Sequence, residues 1–183
     1  MIKGKRGAIV DFEEKVKRAQ KGDDNAFYEI INDKKAMLYK TAFTYVKNKE
    51  DALDVFHETV YKAYISIDKL KEPEFFNTWL VRILINCSLD LLKKNKKNQL
   101  AYEEEIKYTK ESNADMESEI DLHNAIDKLE DKYKTIVILK YFQGMTLKEI
   151  SEVLECPLST VKTNLYKALK QLKIQIEEVD YFG

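Results

Sequence analysis

Residues 146–170 read TLKEISEVLECPLSTVKTNLYKALK, two amphipathic stretches separated by the turn Glu155-Cys156-Pro157. Thr146-Leu147-Lys148-Glu149 has the form of a capping box, in which a threonine and a glutamate three residues on satisfy each other's backbone N–H groups. A helix is therefore expected from Thr146 to about Leu154, and a second from about Ser159 to Ile176. Ile150 and Leu154 on the first, and Val161, Leu165 and Leu169 on the second, recur at helical spacing and are expected to share a core. Small Ser151 suits a close crossing. The spacing is that of a helix-turn-helix.

Such packing leaves Ser159, Thr160, Lys162, Thr163, Asn164, Tyr166, Lys167 and Lys170 outside. A helix that reads a major groove needs a face of this kind, because base edges there present donors and acceptors. Between Leu158 and Ile176 stand four lysines and no acid, so the local field is positive. Lysines supply phosphate attraction without sequence information, whereas Thr163 and Asn164 are long enough to reach base edges. The bland alternative is a helical hairpin whose lysine face is simply solvated. Glu155 stands where many such turns carry glycine, which implies a strained left-handed residue or a different turn.

Upstream, Gly144 breaks a helix spanning Lys132 to Phe142, itself preceded by one from Ile120 to Leu129. The stretch 98–119 is polar and acidic with weak periodicity and reads as a linker. Before it, the pattern predicts four helices. Asp11, with Glu14 three residues on, is expected to cap the first, which stops at Gly22. Asp23 or Asp24 caps the second, running to about Asn48 with Phe27, Ile30, Ile31, Leu38, Ala42, Phe43 and Val46 inward. The third covers Lys49 to Ile67, with Ala52, Val55, Phe56, Val60 and Ala63 on one side. A polar connection, Asp68 to Glu72, leads to Pro73, which suits a helix's first turn. The fourth carries Phe76, Leu80, Ile83, Leu84, Cys87 and Leu91 and ends in the basic run Lys93-Lys94-Asn95-Lys96-Lys97. The expected organisation is all-α, with a helical domain over 1–97, a linker over 98–119 and a helix-turn-helix domain over 120–183.

Composition agrees with helices. The 183 residues include only 5 Gly and 2 Pro, about a third of what an average composition of ~12% would supply. Turn-rich sandwiches and barrels need more punctuation. With 31 basic and 32 acidic residues the net charge is −1, so any nucleic-acid face must be local. No run of about 18 apolar residues is present, and Ala8-Ile9-Val10 is too short for a signal-peptide core, so a cytoplasmic protein without membrane insertion is expected. Cys87 and Cys156 form no disulfide framework. With His57 and His123 they are too scattered for a metal site, and no Gly-rich phosphate loop or nucleophilic constellation occurs. No catalytic residue, metal or cofactor is expected.

One string carries a family resemblance. Asp51-Ala52-Leu53-Asp54-Val55-Phe56-His57-Glu58-Thr59-Val60-Tyr61-Lys62-Ala63-Tyr64 resembles the polymerase-binding helix of bacterial sigma factors, written D-A-E-D-L-V-Q-E-T-F-x-x-A-W. Phe76-Asn77-Thr78-Trp79-Leu80-Val81-Arg82-Ile83, then Asn86 and Asp90, is similar to the family's following segment, F-x-x-W-L-x-R-I-x-x-N-x-x-x-D. With residues 146–170 these strings stand in the family's order, and two helical domains on a linker resemble the extracytoplasmic-function (ECF) branch of the sigma-70 family. Leu53, His57, Tyr64 and Glu155 depart from the pattern.

The resemblance implies roles at matching positions. Asp51, Asp54, His57, Glu58 and Lys62 would meet the clamp coiled coil of core RNA polymerase. The loop from Asp68 to Pro73, with Lys69 and Lys71, matches the loop that captures a flipped base of the minus-ten element. Arg82, Asn86, Lys93, Lys94 and Lys97 would hold the melted strand. Tyr64, Phe75, Phe76 and Trp79 are candidate stacking platforms, with core packing the better reading for Phe76 and Trp79, which lie on the apolar face. Ser159 to Lys170 would read minus-thirty-five promoter DNA, and an anti-sigma factor is implied as a further partner. Two rival readings remain: a helix-turn-helix regulator that acts without replacing the sigma subunit, and an adaptor that uses helical surfaces alone.

Overall fold

The computed structural model describes residues 3–103 and 125–182, with side-chain environments for 11–96 and 125–174. The chain divides into two compact units, Met1–Lys96 and Lys97–Gly183. Every regular element among the described residues is helical.

In the first unit α1 (Lys3–Gln20) and α2 (Asp24–Val46) meet at a corner where Gly22 takes φ +87°. Asp23 caps α2, accepting from the Ala26 N–H at 3.0 Å and from the Arg18 guanidinium at 2.6 and 2.9 Å. The Ala26 N–H and then Arg18 hold this carboxyl below its ordinary value. Lys47, left-handed at φ 63°, ends α2, and Asn48 immediately caps α3 (Lys49–Tyr64). Two 3-10 turns, Ile67–Lys69 and Pro73–Phe75, lead into α4 (Phe76–Glu103). Val16, Ile30, Leu38, Ala42, Ala52, Val55, Phe76, Leu80 and Leu84 are buried together with Tyr45, and each large side chain contributes about 1.5–3 kcal/mol by leaving water.

Three expectations need correction here. Asp11 caps nothing: α1 begins at Lys3, and the Asp11 carboxylate lies 3.5 Å from Lys15, one turn on inside the helix. Phe43 is partly exposed and stacks on Tyr39, while Tyr45 takes the inward position. The basic run does not end the fourth helix, which continues to Glu103, so the first residues assigned to the linker are helical. Residues 104–124, holding the rest of the linker and the start of the next predicted helix, lie outside the described residues. By length and composition Pro73–Lys96 is apolar enough to cross a membrane, yet its Phe76, Leu80 and Leu84 are wholly buried in the first unit.

The second unit has a helical segment at 125–127, α5 (Asp131–Val137) continuing into a π-helical turn (Ile138–Phe142), α6 (Leu147–Val153) and α7 (Leu158–Phe182). Ala125, Ile126, Leu129, Tyr133 and Val137 pack with Ala168 and Leu172. Lys134, itself buried, reaches Asp127 at 2.7 Å and ties the first segment to α5. The inward stripe of α7 is Val161, Ala168 and Leu172, with Leu165 half-buried; Leu169 is 40% exposed, against expectation. Successive steps of four residues overshoot a helical turn by about 40° each, so a run of two such steps leaves the buried face.

Candidate interfaces for a partner protein and nucleic acid

Helix α3 buries Ala52, Val55, Thr59 and Ala63 and exposes Asp54, His57 and Glu58. Glu58 pairs with Lys62 at 3.2 Å. These four side chains, with Asp90 and Lys94 of α4, line a groove of about 600 Å³ floored by Cys87. Burial pushes the Cys87 thiol up from its ordinary value, so it sits there as a neutral apolar group. Asp51 has a different situation. Its carboxylate accepts from the Asn48 amide at 2.6 Å and from the Asn95 amide of α4 at 3.1 Å, fastening the start of α3 to α4.

A second groove, about 540 Å³ and mostly apolar, runs between α2 and α3 over Phe27, Ile31, Phe56 and Val60. Three tyrosines edge it: Tyr28 is 69% exposed, Tyr61 59% and Tyr64 50%. Tyr64 donates its hydroxyl to Asp24 at 2.9 Å and sets its ring edge-on to Phe27 at 5.2 Å. It thereby joins the end of α3 to the start of α2 while keeping half its surface in water. Sequence reasoning singled out Tyr64 but missed Tyr28 and Tyr61. Their only local signal is the three-residue step from Tyr61 to Tyr64; Tyr28 joins them through the packing of α2 on α3.

A third cleft, about 400 Å³, brings together residues from the turn after α3 and from α4: Ser66, Lys69, Asn86 and Asp90, with Lys62 at its edge. Lys69 and Asn86, both singled out from the sequence, thus share one cleft. Lys71 is exposed on the loop, Arg82 half-buried on α4, and Lys93 and Lys94 exposed further along it. Lys94 turns toward the first groove. Lys97 lies in α4, but its side chain is outside those described. Phe75 is exposed, whereas Phe76 is fully buried and Trp79, half-buried, packs on it at 5.8 Å.

In the second unit the turn between α6 and α7 is made by Glu155 at φ 50°. The Cys156 N–H donates to the Ser151 carbonyl at 3.1 Å, and the Pro157 carbonyl accepts from Thr160 at 2.9 Å to start α7. Ser159, Thr160, Lys162, Thr163, Tyr166, Lys167 and Lys170 are exposed, and Asn164 is half-buried beside them. The Thr163 hydroxyl donates to the Ser159 carbonyl at 2.9 Å. Its proton is committed to its own helix, which leaves the oxygen as an acceptor and the methyl group for contact.

The family profile described as Sigma-70 region 2 matches residues 30–98, and that described as Sigma-70, region 4 matches residues 119–172. The chain is 40% identical over 150 residues to the RNA polymerase sigma factor SigV of Bacillus subtilis, covering 82% of this chain and 90% of that protein. It is 30% identical over 180 residues to the ECF RNA polymerase sigma factor SigW of the same organism, covering 90% and 96%. Among solved structures, CnrH in complex with the cytosolic domain of CnrY superposes with a TM-score of 0.70 at 20% identity, covering 91% of this chain and 97% of that one. The sigma factor RpoE of Bartonella quintana, solved with the anti-sigma factor NepR, gives 0.67 at 17% identity, covering 82% and 96%. With both conserved regions matched in order and full-length relatives at this identity, the chain belongs to the ECF branch of the sigma-70 family of RNA polymerase sigma factors.

Proposed function

We propose that this sigma factor meets core RNA polymerase through the solvent face of α3 and promoter DNA through one surface in each unit. Asp54, His57 and Glu58, with Lys62 beside them, would face the polymerase clamp. Asp51 would act indirectly, by holding the start of α3 against α4. Lys69, Lys71, Arg82, Asn86, Lys93, Lys94 and Lys97 would take the melted minus-ten strand. The outer residues of α7 from Ser159 to Lys170 would read minus-thirty-five DNA. On this reading residues 1–97 and 120–183 are the two working domains and 98–119 the connector, and the protein acts in the cytoplasm as an initiation factor, not an enzyme.

The observation that carries the polymerase assignment is the division of α3. Its inner side is buried, yet Asp54, His57 and Glu58 are all exposed along a polar groove, and His57 also borders the apolar one. A partner laid along α3 would pair with the carboxylates and fill the apolar groove with side chains. Burial of aromatic surface would supply affinity and the charges orientation. An anti-sigma factor, such as the NepR that accompanies RpoE, would silence the protein by covering the same grooves.

Gel filtration with sigma-free bacterial core polymerase tests this. Wild-type protein co-elutes, and an Asp54→Lys/Glu58→Lys double variant with unchanged circular dichroism does not. A folded wild type that fails to co-elute, yet binds specific DNA unaided, would transfer the assignment to an independent regulator.

A further inference from the structure

Gln20, the last residue of α1, reaches the loop that follows α3. Its amide donates to the Leu70 carbonyl at 2.5 Å and stands 3.4 Å from the Ile67 carbonyl. These bonds cross 50 and 47 residues of sequence and lie in a part-buried setting. Leu70 ends the 3-10 turn Ile67–Lys69 with extended backbone, φ −69° and ψ 111°, so no continuing helix supplies a donor for its carbonyl. The Ile67 and Leu70 side chains are buried, while Asp68, Lys69 and Lys71 point to solvent. The loop is therefore fixed from inside by two apolar anchors and by one amide from another helix, and is free on its outer side.

We propose that Gln20 is a positioning residue for the loop from Asp68 to Pro73, holding it in the conformation that receives the melted minus-ten strand. This rests on the assignment of that loop to the minus-ten element given above. Apolar anchors fix the depth of a loop but tolerate sliding, whereas a hydrogen-bonded carbonyl fixes the orientation of the peptide. Lys69 and Lys71 flank Leu70, so rotation of the peptide after Leu70 would shift Lys71 relative to Lys69, which shares a cleft with Asn86. A loop that is competent only part of the time binds its target more weakly in proportion. Nothing in this role touches the α3 face or α7, so polymerase binding and minus-thirty-five recognition are independent of it.

The test uses holoenzyme made from the full chain and core polymerase. The probe is a promoter fragment selected from genomic fragments by run-off transcription with wild-type holoenzyme. Gln20→Met keeps length and bulk without a donor. Permanganate reactivity of minus-ten thymines is expected to develop about fivefold more slowly, the scale of one lost hydrogen bond. Co-elution with core polymerase and closed-complex gel shift at low temperature stay at wild-type values. Amide exchange at Lys69 and Lys71 becomes faster in the free variant. A Lys69→Ala/Lys71→Ala variant run alongside separates the two claims. Unchanged melting in that double variant would remove the loop assignment itself. Impaired melting there, with wild-type melting in Gln20→Met, would overturn the role of Gln20 alone. Equal losses in co-elution, closed complex and melting for Gln20→Met would make Gln20 a folding residue and likewise overturn it.

Discussion

Glu149 and Thr146 close on each other across one helical turn: the Glu149 carboxylate accepts from both the N–H and the hydroxyl of Thr146 at 2.7 Å, and the Glu149 N–H donates back to that hydroxyl at 3.2 Å. The Thr146 hydroxyl and then its N–H hold the Glu149 carboxyl below its ordinary value of 4.5. A carboxyl whose folded value is depressed stabilises the fold above its unfolded value and loses that contribution as pH falls through the folded one. The Thr146 amide resonance is therefore expected to titrate with a midpoint below 4.5. Glu149→Gln abolishes that titration, and Thr146→Ala weakens the second unit by about 1 kcal/mol, read from amide exchange at Ile150.

Tyr64 offers a cleaner separation of hydrogen bond from packing. Tyr64→Phe removes the bond to Asp24 and keeps the ring against Phe27. The site is half exposed, so the loss is expected to be small. Tyr64→Ala also removes the aromatic pair and is expected to destabilise the first unit more than Tyr64→Phe does. Trp79 is the chain's one tryptophan and lies in the first unit, so its fluorescence during urea unfolding reports this unit.

The features legible in the sequence are those decided within one or two helical turns. The Thr146–Glu149 box, the Asp23 cap, the Gly22 corner and the outward placement of Lys162, Thr163 and Lys167 depend on near neighbours alone. Asp11 and Glu14 have the same three-residue spacing as a cap, but the helix had already begun, and only the preceding backbone distinguishes the cases. Leu169 and Ala168 are adjacent on α7, and which faces inward depends on the exact angle at which α7 meets α5 and α6. The tyrosine-edged groove and the reach of Gln20 to Leu70 are tertiary. Each joins residues far apart in sequence, so neither leaves a periodicity to detect.

At Glu155 local chemistry foretells strain. Its φ of 50° is left-handed, where a residue with a Cβ is disfavoured by about 1–2 kcal/mol. Glycine removes that cost but adds freedom to the unfolded chain. Glu155→Gly is thus expected to stabilise the second unit by about 0.5–1 kcal/mol, seen as slower exchange of the buried Val161 amide, with promoter selection unchanged.

On α7, Lys167 and Asn164 should fail differently. Lys167 is an exposed point charge among four lysines with no acid between Leu158 and Ile176, suited to phosphate. Asn164 is half-buried at the edge of the same face, where its amide can both donate and accept. Lys167→Ala is expected to weaken holoenzyme binding uniformly across minus-thirty-five variants and to lower the slope of log affinity against log salt by about one. Asn164→Ala should leave that slope alone and lose about 1–3 kcal/mol of discrimination at one base pair. Fluorescence anisotropy on a panel of single-base minus-thirty-five variants, repeated at three salt concentrations, reads both quantities at once. The chain's net charge is −1, so long-range attraction to DNA is small and the comparison belongs in the holoenzyme, where on the proposed reading polymerase holds α7 at the promoter. Identical, slope-only losses for both variants would show that α7 meets the backbone and that sequence is read elsewhere.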